Sequence, residues 1–391
     1  MSYISFLKQV SKNKPVTRPI NFLVSGQDTL IGNVVLKNIY EENMRKRKNL
    51  LILDDLGNDE ILNTSTIRTL GYKIEDGMSG EYLLYNLFQV STVKEISRLR
   101  ELLNIMEYNE SKKQKLIAYL HFIKHLEALS KKEHNPILTL EVLSNYSSTM
   151  LVEKKIQDLL LKNIITSEQQ IYFLSKYMEI CEAAADFENT LYLLIPYIRG
   201  KRSIFENNDC KAFIFKINEL GTDVVMKSLL TQLLLYSIED TSQNTTVIIL
   251  DKGNGAKKYI LNFLVSLNKK EELHIFSEDI FTITSASELP MILNKFEVKI
   301  YSKHLAMDSC LAIEKTMGDI DIVKKSYTAT YDRRWNANKV WDIILGNNKT
   351  ETYIANPTCR EPRYRKEMIA SFPKGNGIIE YMGNSSLFSI L

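Results

Sequence analysis

No apolar run in the 391-residue sequence approaches the roughly 18 residues that cross a bilayer, so a membrane-spanning helix is not expected. The opening residues, MSYISFLKQVSKNKP, lack the apolar core and small-residue cleavage site of a secretory signal. Cysteine is scarce: Cys181, Cys210, Cys310 and Cys359 stand far apart, without metal-ligand or redox spacing. They read as free thiols of a reducing compartment. A strong charge imbalance is also missing. The net charge of +3 is too small to argue by itself for nucleic acid or a membrane surface. These absences place the chain in the cytoplasm, with any attachment at the inner face of the cell membrane made through partners.

What is present is an ordinary globular composition, 45% apolar and 25% charged, over a length that suggests two domains. Asn21–Val24 reads as a short buried strand, and Val34–Arg47 as a helix with the basic end RKRK. NLLILDDLGNDE, residues 49–60, reads as a second buried strand followed by a turn. Strand, loop, helix, strand is a βαβ unit and implies a parallel sheet. From Glu81 to Ile198 there is no glycine, and the only prolines are Pro136 and Pro196. Four segments there carry apolar residues at helical spacing, so 81–198 reads as an inserted all-helical domain. Strand patterns return in CKAFIFKIN, TTVIILDKGNG, HIFSEDIFTITSASELP and NKFEVKIYS, with the buried helix VVMKSLLTQLLLYSI among them. Residues 1–80 and 199–391 therefore form one discontinuous α/β domain.

Candidate chemistry lies in the turns. SGQDTLIGN follows the first strand where a phosphate loop, G-x-x-x-x-G-K-[ST], would lie. Gly26 is in place, but Ile31 replaces the second glycine, Gly32 the lysine and Asn33 the hydroxyl residue. An ordinary strand-to-helix loop and a degenerate phosphate loop both fit. VIILD ends on Asp251, as a magnesium-holding Walker B strand does, but Lys252 stands where a carboxylate base belongs. A buried strand ending on a surface Asp-Lys fits as well. His121 and His125 lie four apart without a third ligand and read as a surface or core pair rather than a metal centre. YDRRWNANKVW and CREPRYRKE mix basic and aromatic residues, which suits either a solvated face or nucleic acid.

Taken in order, these features resemble the soluble part of type IV coupling proteins, the TraG/TraD-type members of the FtsK/HerA group of P-loop motors. SGQDTLIGNVVLKNI resembles their loop and helix, with VVLKNI nearly intact. LLILDDLGND resembles their next strand, with Asp54 and Gly57 in place, and GYKIEDGMSGEYLLYNLF the passage after it. An all-helical insertion follows in the family. Asp251 then stands 225 residues after Gly26, a family-like separation. TSASEL puts Thr284 where the sensor glutamine belongs, LNKKEEL puts Asn268 nearest the trans-acting arginine, and MIASFPKGNGIIEYMGN resembles the closing strands. The resemblance covers nearly the whole chain from about Pro19, and a counterpart of the transmembrane anchor usual in the family is not expected in the residues before it.

The resemblance implies a RecA-like P-loop NTPase domain with a mostly parallel sheet, interrupted by an inserted all-α domain. Every departure falls on chemistry: the lysine, its hydroxyl neighbour, the Walker B glutamate, the glutamine and the arginine are all replaced. Lysine and arginine at such sites stabilise transition-state charge by orders of magnitude in rate, so their joint loss should abolish hydrolysis. The expectation is a pseudo-ATPase without a cofactor, its degenerate pocket built from Gly26, Gly32, Asn33, Asp54, Asp251 and Thr284. Its partners would be a secretion-system ATPase or inner-membrane subunits and a protein or nucleoprotein substrate, in a homo- or hetero-oligomer. The alternative is a working hexameric DNA or protein translocase that takes ATP and Mg²⁺ through an atypical loop. A third reading is a DNA-binding scaffold using Arg333, Arg334, Arg360, Arg363 and Arg365.

Overall fold

The computed structural model describes residues 20–183, 189, 192, 195, 197, 200, 202–204, 210–221, 223–240, 245–252, 271–323, 326–327, 354–355, 358–381 and 383–390. In chain order the strands among them are β1 (Phe22–Ser25), β2 (Asn49–Asp54), β3 (Lys73–Asp76), β4 (Tyr82–Leu83) and β5 (Arg202–Ser203). Then come β6 (Lys211–Phe215), β7 (Thr245–Asp251), β8 (Glu272–Ser277), β9 (Val298–Tyr301) and β10 (Asp319–Val323). The last are β11 (Ser326–Tyr327), β12 (Ile354–Ala355), β13 (Thr358–Pro362), β14 (Asn376–Tyr381) and β15 (Asn384–Ser389).

Nine of these form one sheet in the order β15-β14-β9-β1-β8-β7-β2-β6-β3. The seven strands from β9 to β3 run parallel, and β14 and β15 add an antiparallel hairpin at one edge. The mostly parallel α/β sheet expected from the sequence is thus observed, with β8 and β7 between β1 and β2. Parallel strands are covered on both faces, which is why they read as unbroken apolar runs. Alternate residues face opposite sides. Val24, Ile52, Ile248, Leu250, Phe276 and Ile300 pack with Ile31, Val35, Leu36 and Ile39 of the helix Thr29–Arg45. Leu51, Leu53, Phe213, Val247, Ile249 and Ile275 take the other register and are equally buried.

The first helix begins at Thr29, five residues before the expected start at Val34. Asp28 is the cause: its extended backbone and side chain cap the helix there. HIFSEDIFTITSASELP is not all strand, since β8 ends at Ser277 and two short helices, Ile280–Ile283 and Leu289–Leu293, follow. Asp279 caps the first of them and Pro290 lies in the first turn of the second.

Between β4 and β5 the longer helices are Val93–Ile105, Glu110–Lys131, Thr149–Leu161 and Ser167–Ile180. Thr92 with Glu95, and Thr166 with Gln169, form capping boxes that fix two of their starts. None of the described helices is long and apolar enough to cross a membrane. The chain divides into two compact units, Met1–Lys303 with Pro373–Leu391, and His304–Phe372. Within the second, β10 pairs with β13 and β11 with β12, beside the helices Met307–Met317 and Lys366–Ala370.

Candidate functional site

In an open parallel sheet, ligands bind beyond the carboxyl ends of the strands. Here those ends bring together Ser25, Asp54, Asp251, Ser277 and Tyr301. Register sets Asp251 beside Ser277, Ser277 beside Ser25, and Ser25 beside Tyr301. The first turn beyond β1 is the sequence SGQDTLIGN.

A phosphate loop works by leaving successive backbone N–H groups free at a helix start. Here they have acceptors. Gly26 N–H donates to Ser277 O at 2.9 Å and Gln27 N–H to Lys303 O at 2.9 Å. Asp28 N–H points to Ser302 Oγ at 3.4 Å. Leu30 and Ile31 N–H donate to Asp28 Oδ1 at 3.0 and 3.3 Å. Gly32 N–H, at the lysine position of the motif, donates to Asp28 O at 3.2 Å within the helix. Six amides from Gly26 to Gly32 therefore bond to protein oxygens. Residues 29–31, loop in the motif, are wound into the helix.

The two glycines differ in kind. Gly26 has φ +124°, and a Cβ there would lie 2.1 Å from Ser302 Oγ and 2.9 Å from Lys303 O. It is required by the close approach of the strand end after β9. A Cβ on Gly32 would meet only Ile61 Cγ2, at 4.0 Å. Asn33 is half-buried on the same helix, and its Oδ1 accepts no hydrogen bond from the described residues.

Asp251 is not a surface residue: it is fully buried. Its Oδ2 accepts from Ser277 Oγ at 3.2 Å and from Thr282 Oγ1 at 2.7 Å. Lys252, its neighbour, is exposed. Thr284 is buried but directs its hydroxyl to Ser285 O and Glu288 Oε2, each at 3.4 Å. Ser277 and Thr282, rather than Thr284, offer their hydroxyls to Asp251. Asp54 is buried at the end of β2, and its Oδ1 accepts Gly57 N–H at 2.8 Å, closing a tight turn. Burial pushes the Asp54 carboxyl up from its ordinary value, with the Gly57 amide opposing. Gly57 has φ +62°, and its Cβ would lie 2.6 Å from Asn218 Nδ2. Both retained motif residues thus have structural work of their own.

Arg333, Arg334 and Asn268 lie outside the described residues. Of the remaining arginines, all exposed, Arg365 pairs with Glu361 at 2.6 Å and Arg360 with Asp321 at 3.6 Å. Arg363 lies over the Tyr364 ring at 5.9 Å. Among the described residues no group of three or more His, Cys, Asp or Glu is arranged to hold a metal ion.

Sequence reasoning passed over Asp28, Ser277, Thr282, Ser302 and Gly375. Asp28 alone had a legible signal, an Asp immediately before a helical pattern. The others are placed by register and by segments hundreds of residues apart.

No family model matches the chain, and no curated protein matches it in sequence. Solved structures do match. The bacterial conjugative coupling protein TrwBdeltaN70, unbound, superposes with a TM-score of 0.57 at 11% identity, covering 99% of this chain and 91% of its own. The plasmid coupling protein TrwB in complex with the non-hydrolysable ATP analogue ADPNP gives 0.57 at 11% identity, covering 100% and 92%. VirB4 of Thermoanaerobacter pseudethanolicus gives 0.50 at 12% identity, covering 95% and 89%. The likeness is one of fold: the chain has the RecA-like α/β fold of TrwB and VirB4.

Proposed function

We propose that the chain is a non-catalytic, coupling-protein-like subunit of a bacterial type IV secretion or conjugation apparatus. It docks a protein or nucleoprotein substrate, or braces an active ATPase relative, without hydrolysing nucleotide itself. One observation carries this reading: the amides that would cradle phosphate already donate to protein oxygens, Gly32 N–H among them. The environment of Asp251 supports it, because a buried carboxylate oxygen shared by two hydroxyls is poorly placed to hold Mg²⁺. The likeness to TrwB and VirB4 supports the conjugative setting through fold alone.

On this reading residues 81–198 form the recognition domain and 1–80 with 199–391 the framework that presents it. The chain works at the inner face of the cell membrane, held there by a secretion ATPase or inner-membrane subunits, and needs no ATP or Mg²⁺. The test is phosphate release by the purified chain, alone and with DNA. No turnover above background is expected. Turnover that Asp251→Ala removes would overturn the proposal.

A further inference from the structure

The Asp28 carboxylate is the convergence point of two distant segments. Its Oδ1 accepts the helix amides of Leu30 and Ile31 at 3.0 and 3.3 Å. Its Oδ2 accepts the Gly375 amide at 2.5 Å, from the turn that enters β14. Gly375 is buried with φ +81°, a left-handed conformation that glycine adopts at little cost. The positive end of the helix macrodipole and three N–H donors thus face one anionic group. These are the requirements of an anion seat, met by a side chain of the chain itself.

We propose that Asp28 is a built-in stand-in for a bound anion, an autoinhibitory contact that keeps the loop closed to phosphate and clasps the β14 turn to the end of β1. The inference rests on the reading that this loop no longer holds nucleotide, and adds what holds the loop shut. A tethered carboxylate is always present at its seat, so a free anion must displace it and then sit beside its charge. Removing the carboxylate leaves the three N–H donors and the helix start without a countercharge.

The experiment measures thermal unfolding of the full chain and of Asp28→Ala and Asp28→Asn, in inorganic phosphate and in chloride at equal ionic strength. Phosphate raises the midpoint of most proteins by exclusion from their surface, so the quantity read is the excess over wild type. Asp28→Ala should unfold at lower temperature in chloride and recover in phosphate, with an excess of about 2 °C or more at saturation. Asp28→Asn retains the helix cap and so a folded chain, but offers no second acceptor to Gly375. It frees only the Gly375 amide, so its excess should be smaller than that of Asp28→Ala, and that amide should exchange with solvent at least about tenfold faster than in wild type. Equal phosphate responses in wild type and both variants would overturn the inference, as would an unchanged Gly375 exchange rate in Asp28→Asn. Nucleotide turnover by wild type would instead overturn the functional reading, so the two failures are distinguishable.

Discussion

Lys227 Nζ lies 2.6 Å from Asp55 Oδ1, and each side chain is 1% exposed. Lys227 stands on the helix Val224–Asp240, and Asp55 directly follows β2, where its amide bonds to Leu250 O at 2.9 Å. The second Asp55 oxygen has no hydrogen-bond partner among the described residues. A buried pair of this kind is weak evidence for stability as a whole but costly to break on one side. Lys227→Met should destabilise the protein by about 3–5 kcal/mol in denaturant unfolding, because it leaves Asp55 buried and unpaired. Combining it with Asp55→Leu should recover most of that loss.

The two loop glycines should respond in opposite directions. Gly26→Ala places a Cβ 2.1 Å from Ser302 Oγ at φ +124°, where no relaxed side chain fits, and should cost about 2 kcal/mol or more. Gly32→Ala adds a methyl inside a helix at ordinary contact distance from Ile61 and should stabilise by about 0.5–1 kcal/mol. Thermal unfolding of the two variants checks both signs. Destabilisation by Gly32→Ala would show that residue 32 is not in a regular helix.

Acid sensitivity should originate at Glu272. Burial alone would raise its carboxyl, but the His274 ring and the Lys48 ammonium beside it overrule burial and hold it at about 2. Lys48 Nζ lies 2.9 Å away and Lys46 Nζ 3.4 Å away. A carboxyl depressed in the folded state contributes stability that is present above its unfolded value near 4.5 and is lost as pH falls toward 2. The contribution is about 3 kcal/mol. His274 is buried, which pushes its own value down, so its contribution is present above its ordinary value of 6.5 and fades as pH falls below that. Denaturant unfolding across pH 3–7 should show the loss, and Glu272→Gln should flatten its acid limb.

Arg98 ties the helix Val93–Ile105 to the helix Val224–Asp240. Its guanidinium donates to Asp240 at 2.5 Å, Glu239 at 2.6 Å and Tyr85 Oη at 3.0 Å, and lies over the rings of Tyr85 and Tyr236. A lysine cannot reproduce the planar fork or the stacking. Arg98→Lys should therefore cost about 2 kcal/mol, and hydrogen exchange should quicken along Val93–Ile105 and at the end of Val224–Asp240. An unchanged exchange pattern would mean that apolar packing alone joins the two helices.

The sheet was legible because its strands are apolar on both faces: LLILD and TVIILD announce buried strands whichever neighbour they take. Strand order was not, since the placing of β8 and β7 between β1 and β2 depends on pairings far apart in sequence. The loop was legible in position, through Gly26, Asp54 and Asp251 at their separations. Its chemistry turned on Asp28, a residue the phosphate-loop pattern treats as variable. A side chain does fill the loop, but it belongs to neither Ile31 nor Asn33: it is Asp28, three positions before Ile31. Ile31 packs into the core beneath the helix, while Asp28 takes the amides. Thr282 escaped notice because its hydroxyl reaches Asp251 only through the short helix after β8.

Calorimetric titration of the purified chain with Mg·ATP tests the central claim most directly. A closed loop predicts no binding heat up to millimolar nucleotide, a free energy weaker than about −4 kcal/mol. Saturable binding with a micromolar dissociation constant, lost in Asp251→Ala, would contradict it.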